Sequence, residues 1–305
     1  MQIDYEQLAK KFFEQFNGSI RIISIKEFGD ESISYAEQNR SAKTCDGIKL
    51  VIKHMLEYFA PARELNTIET KDAEKFLYHL KKSAPLGVYN YHRTLKAMFN
   101  KAVEWNYIRL NPFLKVKLPK RQEKRPAFIT QDELGKILEK INNPIIKDIV
   151  QISFYSGLRL SEATFLKWKN IAIHNNTINI GDESFKTKSR KSRSVPIHPK
   201  VKEIIERLKN ESNYKKENYL FRKNGNQPFT TDYVSKSFKK ACREAGIDEE
   251  VHYHTLRHST GSLLAQKGVS LYTIQKILGH SSPSVTQIYA HMQIDTLREA
   301  INQIN

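Results

Sequence analysis

The sequence has almost no cysteine: Cys45 and Cys242 are the only two among its 305 residues. They stand far apart, so neither a disulfide framework nor a cysteine-built zinc site is expected. It also lacks any run of about 18 apolar residues, the length a membrane-spanning helix needs. The first residues, "MQIDYEQLAKKFFEQF", alternate charged and apolar side chains and do not read as a signal peptide. There is no repeat at a fixed period and no low-complexity tract. The chain reads as cytoplasmic, with no membrane partner. The last shortage is of acid. There are 33 Asp and Glu against 50 Lys and Arg, a formal net charge of +17. Such a surplus points to a polyanionic partner, nucleic acid before any anionic membrane.

What is present suffices for two domains. Hydrophobic residues make up 39% and charged residues 27%, ordinary values for a globular chain. The first third reads as helices. Residues 44–59 put Ile48, Val51, Ile52, Met55, Leu56 and Phe59 at helical spacing. Residues 70–82 start at a good cap, Thr70, and stack Ala73, Phe76, Leu77 and Leu80 on one side. A third helix is predicted over 87–108, with "NP" at 111–112 as its stop. Then "FLKVKLPKRQEKRP" (113–126) holds two prolines, many cations and one glutamate. It reads as a linker, either a solvated spacer or a basic strap along a phosphate backbone.

In the second part, Thr130 and Glu133 make a capping box. Residues 143–157 form a helix with Pro144 near its first turn and Gly157 at its end. "NTINI" and "RSVPIH" read as short strands flanking the basic "FKTKSRKSR". Helices are predicted over 198–210, 231–246 and the stretch that follows. The expected fold class is therefore mainly α with a small β-sheet (α+β). The expected divisions are an extension (1–20), a helical domain (21–112), the linker (113–126), a second domain (127–292) and a tail helix (293–305).

Three cationic clusters stand out: "SGLRLSEATFLKW" with Arg159, "FKTKSRKSR" with Lys186, and "HTLRH" with Arg257. "LGHSS" adds His280 and "IYAH" adds Tyr289. Guanidinium forks match phosphate oxygens two at a time. Two arginines, a lysine and two histidines around one point could hold a phosphodiester and its transition-state charge. A tyrosine aimed at the phosphorus would be the nucleophile. His254 and Arg257, three apart, share a helix face. Gly279 ends a helix over 271–278 and swings His280 off its end. Ser282 as cap and Pro283 at the first helical position place Tyr289 about two turns along a further helix. Taken singly, each residue has a plainer reading: a surface ion pair for an arginine, a half-buried core position for the tyrosine. His254 and His258, four apart, could ligate a metal. The glutamate of a zinc-hydrolase helix is missing, however, so no metal and no cofactor is expected.

"GLRLSE", "KTKSRKSRSVPI", "HTLRHSTGSLLAQKG", "IQKILGH" and "TQIYAH", in that order, resemble the tyrosine recombinases, the family of phage integrases and Xer-type recombinases. The likeness runs from about residue 20 to the end of the chain. It implies a SAM-like core-binding domain over 21–112 and a catalytic domain over 127–292. It implies that Tyr289 attacks a DNA phosphorus and forms a 3′-phosphotyrosyl bond without metal or ATP. Arg159, Arg257 and His280 would hold the phosphate and Glu162 would fix Arg159. Lys186 would be the acid, with Lys188 and Lys191 of the same segment as alternatives. His254 would be a base or orienting partner near the tyrosine. Expected partners are double-stranded DNA and three further copies of the chain in a tetramer, with an accessory or directionality protein optional. Lys115, Lys117, Lys120, Arg121, Lys124, Arg125, Lys188, Arg190, Lys191 and Arg193 are the expected DNA-binding cations. The tail would dock its stripe of Ile294, Leu297, Ile301 and Ile304 on a neighbouring protomer or on its own domain. The rivals are a type IB topoisomerase-like enzyme, a catalytically inactive DNA-binding relative and a metal-dependent nuclease.

Overall fold

The computed structural model describes residues 20–120, 126–181, 192–211, 215–293 and 301–302. The chain divides into two compact units, Met1–Gln122 and Glu123–Asn305. The fold is mostly helical, with two small antiparallel sheets among the described residues.

The first unit holds α1 (Ile25–Asn39), α2 (Ala42–Tyr58), α3 (Thr70–Ser83) and α4 (Val88–Glu104). Ser24 opens α1 with a capping box: its hydroxyl accepts from the Glu27 N–H at 3.2 Å, and its own N–H donates to the Glu27 carboxylate at 2.9 Å. In α3, Thr70 is the first helical residue and Glu69 is the cap. Phe28, Val51, Met55, Phe76, Leu77, Leu95 and Phe99 fill the core. The third predicted helix stops earlier than expected. It ends at Glu104, and Asn106 takes a left-handed conformation (φ 61°) well before Pro112. Asparagine tolerates that region, and it closes a helix as glycine would. The expected linker splits. Phe113 and Val116 are buried in the core of this unit, and the Tyr89 hydroxyl donates to the Pro119 carbonyl at 2.9 Å. Apolar side chains at 113 and 116 draw the chain inward, while Lys115, Lys117 and Lys120 stay exposed. Arg121, Lys124 and Arg125 lie outside the described residues.

The second unit begins with α5 (Gln131–Glu139) and α6 (Pro144–Ser156). Thr130 and Glu133 cap α5 reciprocally, and the Asn143 side chain caps α6 ahead of Pro144. Gly157 ends α6 in the left-handed conformation (φ 62°). A short α7 (Leu160–Thr164) leads to β1 (Ile171–Ala172), β2 (Thr177–Ile180) and β3 (Arg193–Pro196). The sheet order is β1-β2-β3, with Ile178 facing Val195 in register. Then come α8 (Pro199–Glu211), the hairpin β4 (Arg222–Lys223) and β5 (Gln227–Pro228), and α9 (Thr231–Glu244). The next helices are α10 (Thr255–Gln266) and α11 (Leu271–Leu278). Lys186, Lys188, Arg190 and Lys191, between β2 and β3, lie outside the described residues, as do tail residues 294–300 and 303–305. No helix among the described residues is long and apolar enough to cross a membrane.

Candidate active site

The site is built around the C-terminal end of α11. The last carbonyls of an α-helix have no partner within it and carry the negative end of its dipole. Here three arginines from three elements meet them. Arg193, at the start of β3, donates from Nε to the Ile277 carbonyl at 3.0 Å. Arg257, on α10, donates to the Leu278 carbonyl and, at 2.7 Å, to that of Gly157. Arg159, ahead of α7, reaches the Gly279 carbonyl at 3.4 Å. Gly157 and Gly279 both have positive φ, and both sit where a side chain would collide. A Cβ on Gly157 would lie 2.5 Å from Leu278, and one on Gly279 would lie 2.6 Å from Arg193.

Glu162, 2% exposed, ties two of these arginines together. Its carboxylate accepts from Arg159 at 2.7 Å and from both terminal nitrogens of Arg193 at 3.1 and 2.6 Å. Burial alone would raise its pKa. The hydrogen bonds and charge of Arg193, with those of Arg159, outweigh burial and hold it at about 2. Arg193 is therefore committed inward, its side chain 9% exposed. It belongs to the scaffold of the site and not to the exposed cations with which its sequence position groups it. Arg257 is buried too. Burial, with the charges of Arg159 and Arg193, presses its pKa down to about 9, which leaves it charged at neutral pH.

His280 follows the left-handed Gly279, as the glycine predicts, and is half-buried. Its Nδ1 lies 2.9 Å from the Thr286 hydroxyl. The chain beyond it departs from the predicted helix. Ser282 does cap, accepting from the Ser284 N–H, but two 3₁₀ segments follow, Pro283–Val285 and Gln287–Gln293. Val285, Thr286 and Ile288 are β-branched, and the buried Thr286 is tied to His280, so a regular α-helix does not propagate.

Tyr289, in the second 3₁₀ segment, is 1% exposed. Its ring stacks on His280, with centroids 6.5 Å apart and planes 14° from parallel. The ring also rests on α10 at Gly261, where a Cβ would stand 2.5 Å from it. Its hydroxyl meets His258 Nδ1 at 2.9 Å. Burial pushes the phenol up to about 12 against the pull of the Arg257 charge. His254, the residue before α10, stands exposed and edge-on to His258, with centroids 4.9 Å apart. The structure thus brings Arg159, Glu162, Arg257, His280 and Tyr289 together, with His254 at the border. Spacing alone offers His258 only as an i, i+4 partner of His254, and nothing local marks Arg193 as a scaffold residue. Gly261 does leave a signal: a glycine in the middle of a helix usually has a packing reason. Chemically, the arrangement is a cation-lined point with a buried phenol beside a neutral imidazole.

The phage integrase family profile matches residues 127–295, and that of the phage integrase SAM-like domain matches residues 24–118. A tyrosine recombinase of Thermosipho africanus is 30% identical over 277 residues, covering 88% of this chain and 95% of that one. The tyrosine recombinase XerD of Listeria monocytogenes is 26% identical, with 88% and 94% covered. Among solved structures, the Tn1549 transposon integrase in complex with transposon right-end DNA superposes with a TM-score of 0.75 at 21% identity, over 92% of this chain and 99% of that one. A lambda integrase tetramer bound to a Holliday junction does so at 0.71 and 20% identity, over 90% and 82%. Two matched domains and a relative aligned over most of both lengths, around a buried tyrosine among arginines and histidines, settle the family: this chain is a tyrosine recombinase of the phage integrase family.

Proposed function

We propose that this chain is a site-specific DNA recombinase that cuts and rejoins strands through Tyr289. The observation that carries the proposal is the convergence of Arg159, Arg257 and His280 on the end of one helix, with the Tyr289 ring stacked on His280. In this reading a DNA phosphodiester sits against the two guanidiniums, which neutralise its non-bridging oxygens. His280 is half-buried among cations. Burial and the charges of Arg257 and Arg159 lower its pKa to about 4, so it is neutral at pH 7. With the Thr286 hydroxyl donating to Nδ1, Nε2 carries the ring hydrogen and donates it to the phosphate. Tyr289 Oη bonds to phosphorus, the bond from phosphorus to O5′ breaks, and Lys186 supplies the proton that leaves with the 5′-hydroxyl. A 5′-hydroxyl from another duplex reverses the step and joins the strands anew. The phosphotyrosyl bond retains the energy of the phosphodiester, so neither ATP nor another cofactor is required.

The SAM-like unit and the catalytic unit each take part of the duplex, with Lys115, Lys117 and Lys120 on its phosphates. Strand exchange between two duplexes needs four active chains, hence a tetramer in the cytoplasm, with accessory proteins optional. The test is a nicked suicide substrate, which traps the covalent complex on a denaturing gel. Wild type gives a protein–DNA adduct. Tyr289→Phe binds the same DNA and gives none, because the only lost atom is the attacking oxygen. An adduct that persists in Tyr289→Phe places the nucleophile elsewhere. Relaxation of supercoils without any exchange between two sites would favour a topoisomerase-like activity instead.

A further inference from the structure

The reaction proposed above leaves one proton without a destination. Tyr289 must lose its phenolic hydrogen as its oxygen attacks, and the ring is 1% exposed, so bulk water does not reach it directly. Resting on that reading, we propose that His258 takes this proton, at Nδ1, and returns it when the tyrosine leaves.

Three observations lead to this assignment. His258 Nδ1 is the hydrogen-bond partner of the Tyr289 hydroxyl, at 2.9 Å, within the reach a general base needs. The other two imidazoles are placed differently. His280 lies nearly parallel to the tyrosine ring, with centroids 6.5 Å apart, and has its Nδ1 engaged by Thr286. His254 stands beyond His258, edge-on to it. Finally, the tyrosine ring is wedged against Gly261, one turn along α10 from His258, which fixes the distance between hydroxyl and imidazole.

The electrostatics of the empty site keep His258 unprotonated. Burial, with His254 and Arg257 beside it, lowers the pKa of His258 to about 4. It is therefore neutral at pH 7 and keeps a lone pair for the hydroxyl. Its weakness as a base in the empty site is due in part to Arg257. A phosphodiester seated on Arg257 brings a compensating negative charge, so the imidazole becomes a better acceptor when DNA is bound. The step balances. The O–H bond of Tyr289 breaks and an N–H bond forms on His258, while Oη–P forms and P–O5′ breaks. The protonated imidazole then waits beside the phosphotyrosine, and gives the proton back to Oη in the joining step.

The experiment uses the full chain, the nicked suicide substrate and two substitutions. His258→Asn keeps a hydrogen-bond acceptor near the Nδ1 position but cannot take the proton; His258→Phe loses both functions. Each should bind DNA as wild type does and form the adduct slower by about 100-fold or more, the usual worth of a general base. The deciding readout is chemical. Replacing Tyr289 with a difluorotyrosine, whose phenol is far more acidic than that of tyrosine, should restore most of the lost rate in both variants, because the more acidic phenol gives up its proton with less help from a base. A role in packing alone would not respond to phenol acidity. Wild-type rates in His258→Asn, or slow rates that difluorotyrosine does not recover, overturn the assignment. Should His258→Phe fail to bind DNA, His258→Asn carries the test. Adduct formation by Tyr289→Phe would instead remove the reading on which the assignment rests, whatever the His258 variants do.

Discussion

Glu162 shows how single residues set the terms for the site. It is a buried carboxylate with two guanidinium partners, and breaking a buried pair from one side leaves an uncompensated charge. Arg193→Ala should therefore destabilise the catalytic unit by about 3–5 kcal/mol, read from urea unfolding. Arg193→Lys should not fully restore it, since one ammonium cannot span both carboxylate oxygens. The pH dependence follows from the same contacts. The folded Glu162 holds its proton less tightly than an ordinary carboxyl at 4.5, with a pKa of about 2. A depressed carboxylate stabilises the fold above its unfolded pKa and loses that contribution as pH falls through the folded one. A depression of this size corresponds to about 3 kcal/mol. The stability gap between wild type and Glu162→Gln should thus be full above about pH 5 and shrink towards pH 2. A gap that stays constant over that range would mean the arginines contribute nothing through charge.

At the scale of elements, α10 carries a prediction that runs against helix propensity. Alanine favours a helix interior over glycine by about 1 kcal/mol, so Gly261→Ala should stabilise an isolated α10. In the folded chain its Cβ would press on the Tyr289 ring from 2.5 Å. The 3₁₀ segment bearing the tyrosine must then shift, and adduct formation on suicide DNA should drop at least tenfold with stability nearly unchanged, as a misplacement of about 1 Å can cost more than that. An unchanged adduct level would show that the segment yields freely. Where signals were local, these elements were legible from the sequence. The Thr130–Glu133 box, Asn143–Pro144, the two left-handed glycines and the paired strands all follow from neighbouring residues. Helix α1 escaped the apolar pattern because its inward face includes Gly29, Ser32 and Ala36 beside Ile25 and Phe28. The partners at the site were harder for a related reason. Periodicity says which residues share a face, but not what that face meets. The hydroxyl of Tyr289 and its imidazole are 31 positions apart, and Arg193 and Glu162 are likewise 31 apart.

For the whole molecule the dominant quantity is charge. A net +17 implies that binding to DNA releases many counterions. If six or more phosphates are neutralised, a plot of log affinity against log salt should have a slope of about −5 or steeper. Exchanging Lys115, Lys117 and Lys120 for alanine should make it shallower by about 0.9 for each phosphate no longer neutralised, across unrelated DNA sequences alike. A slope unmoved by all three would take that stretch off the DNA. The anchoring of Arg159, Arg193 and Arg257 on carbonyls 277–279 has a different kind of consequence. Those acceptors are part of the main chain, so every amino acid offers them. Positions 277 and 278 can drift through any side chain that fits the core without loosening a single guanidinium. What the arrangement cannot absorb is a change in chain length: one residue inserted or deleted near the end of that helix would turn the three carbonyls away from all three arginines at once. The geometry of the site is thus inherited as a register, and only secondarily as a spelling.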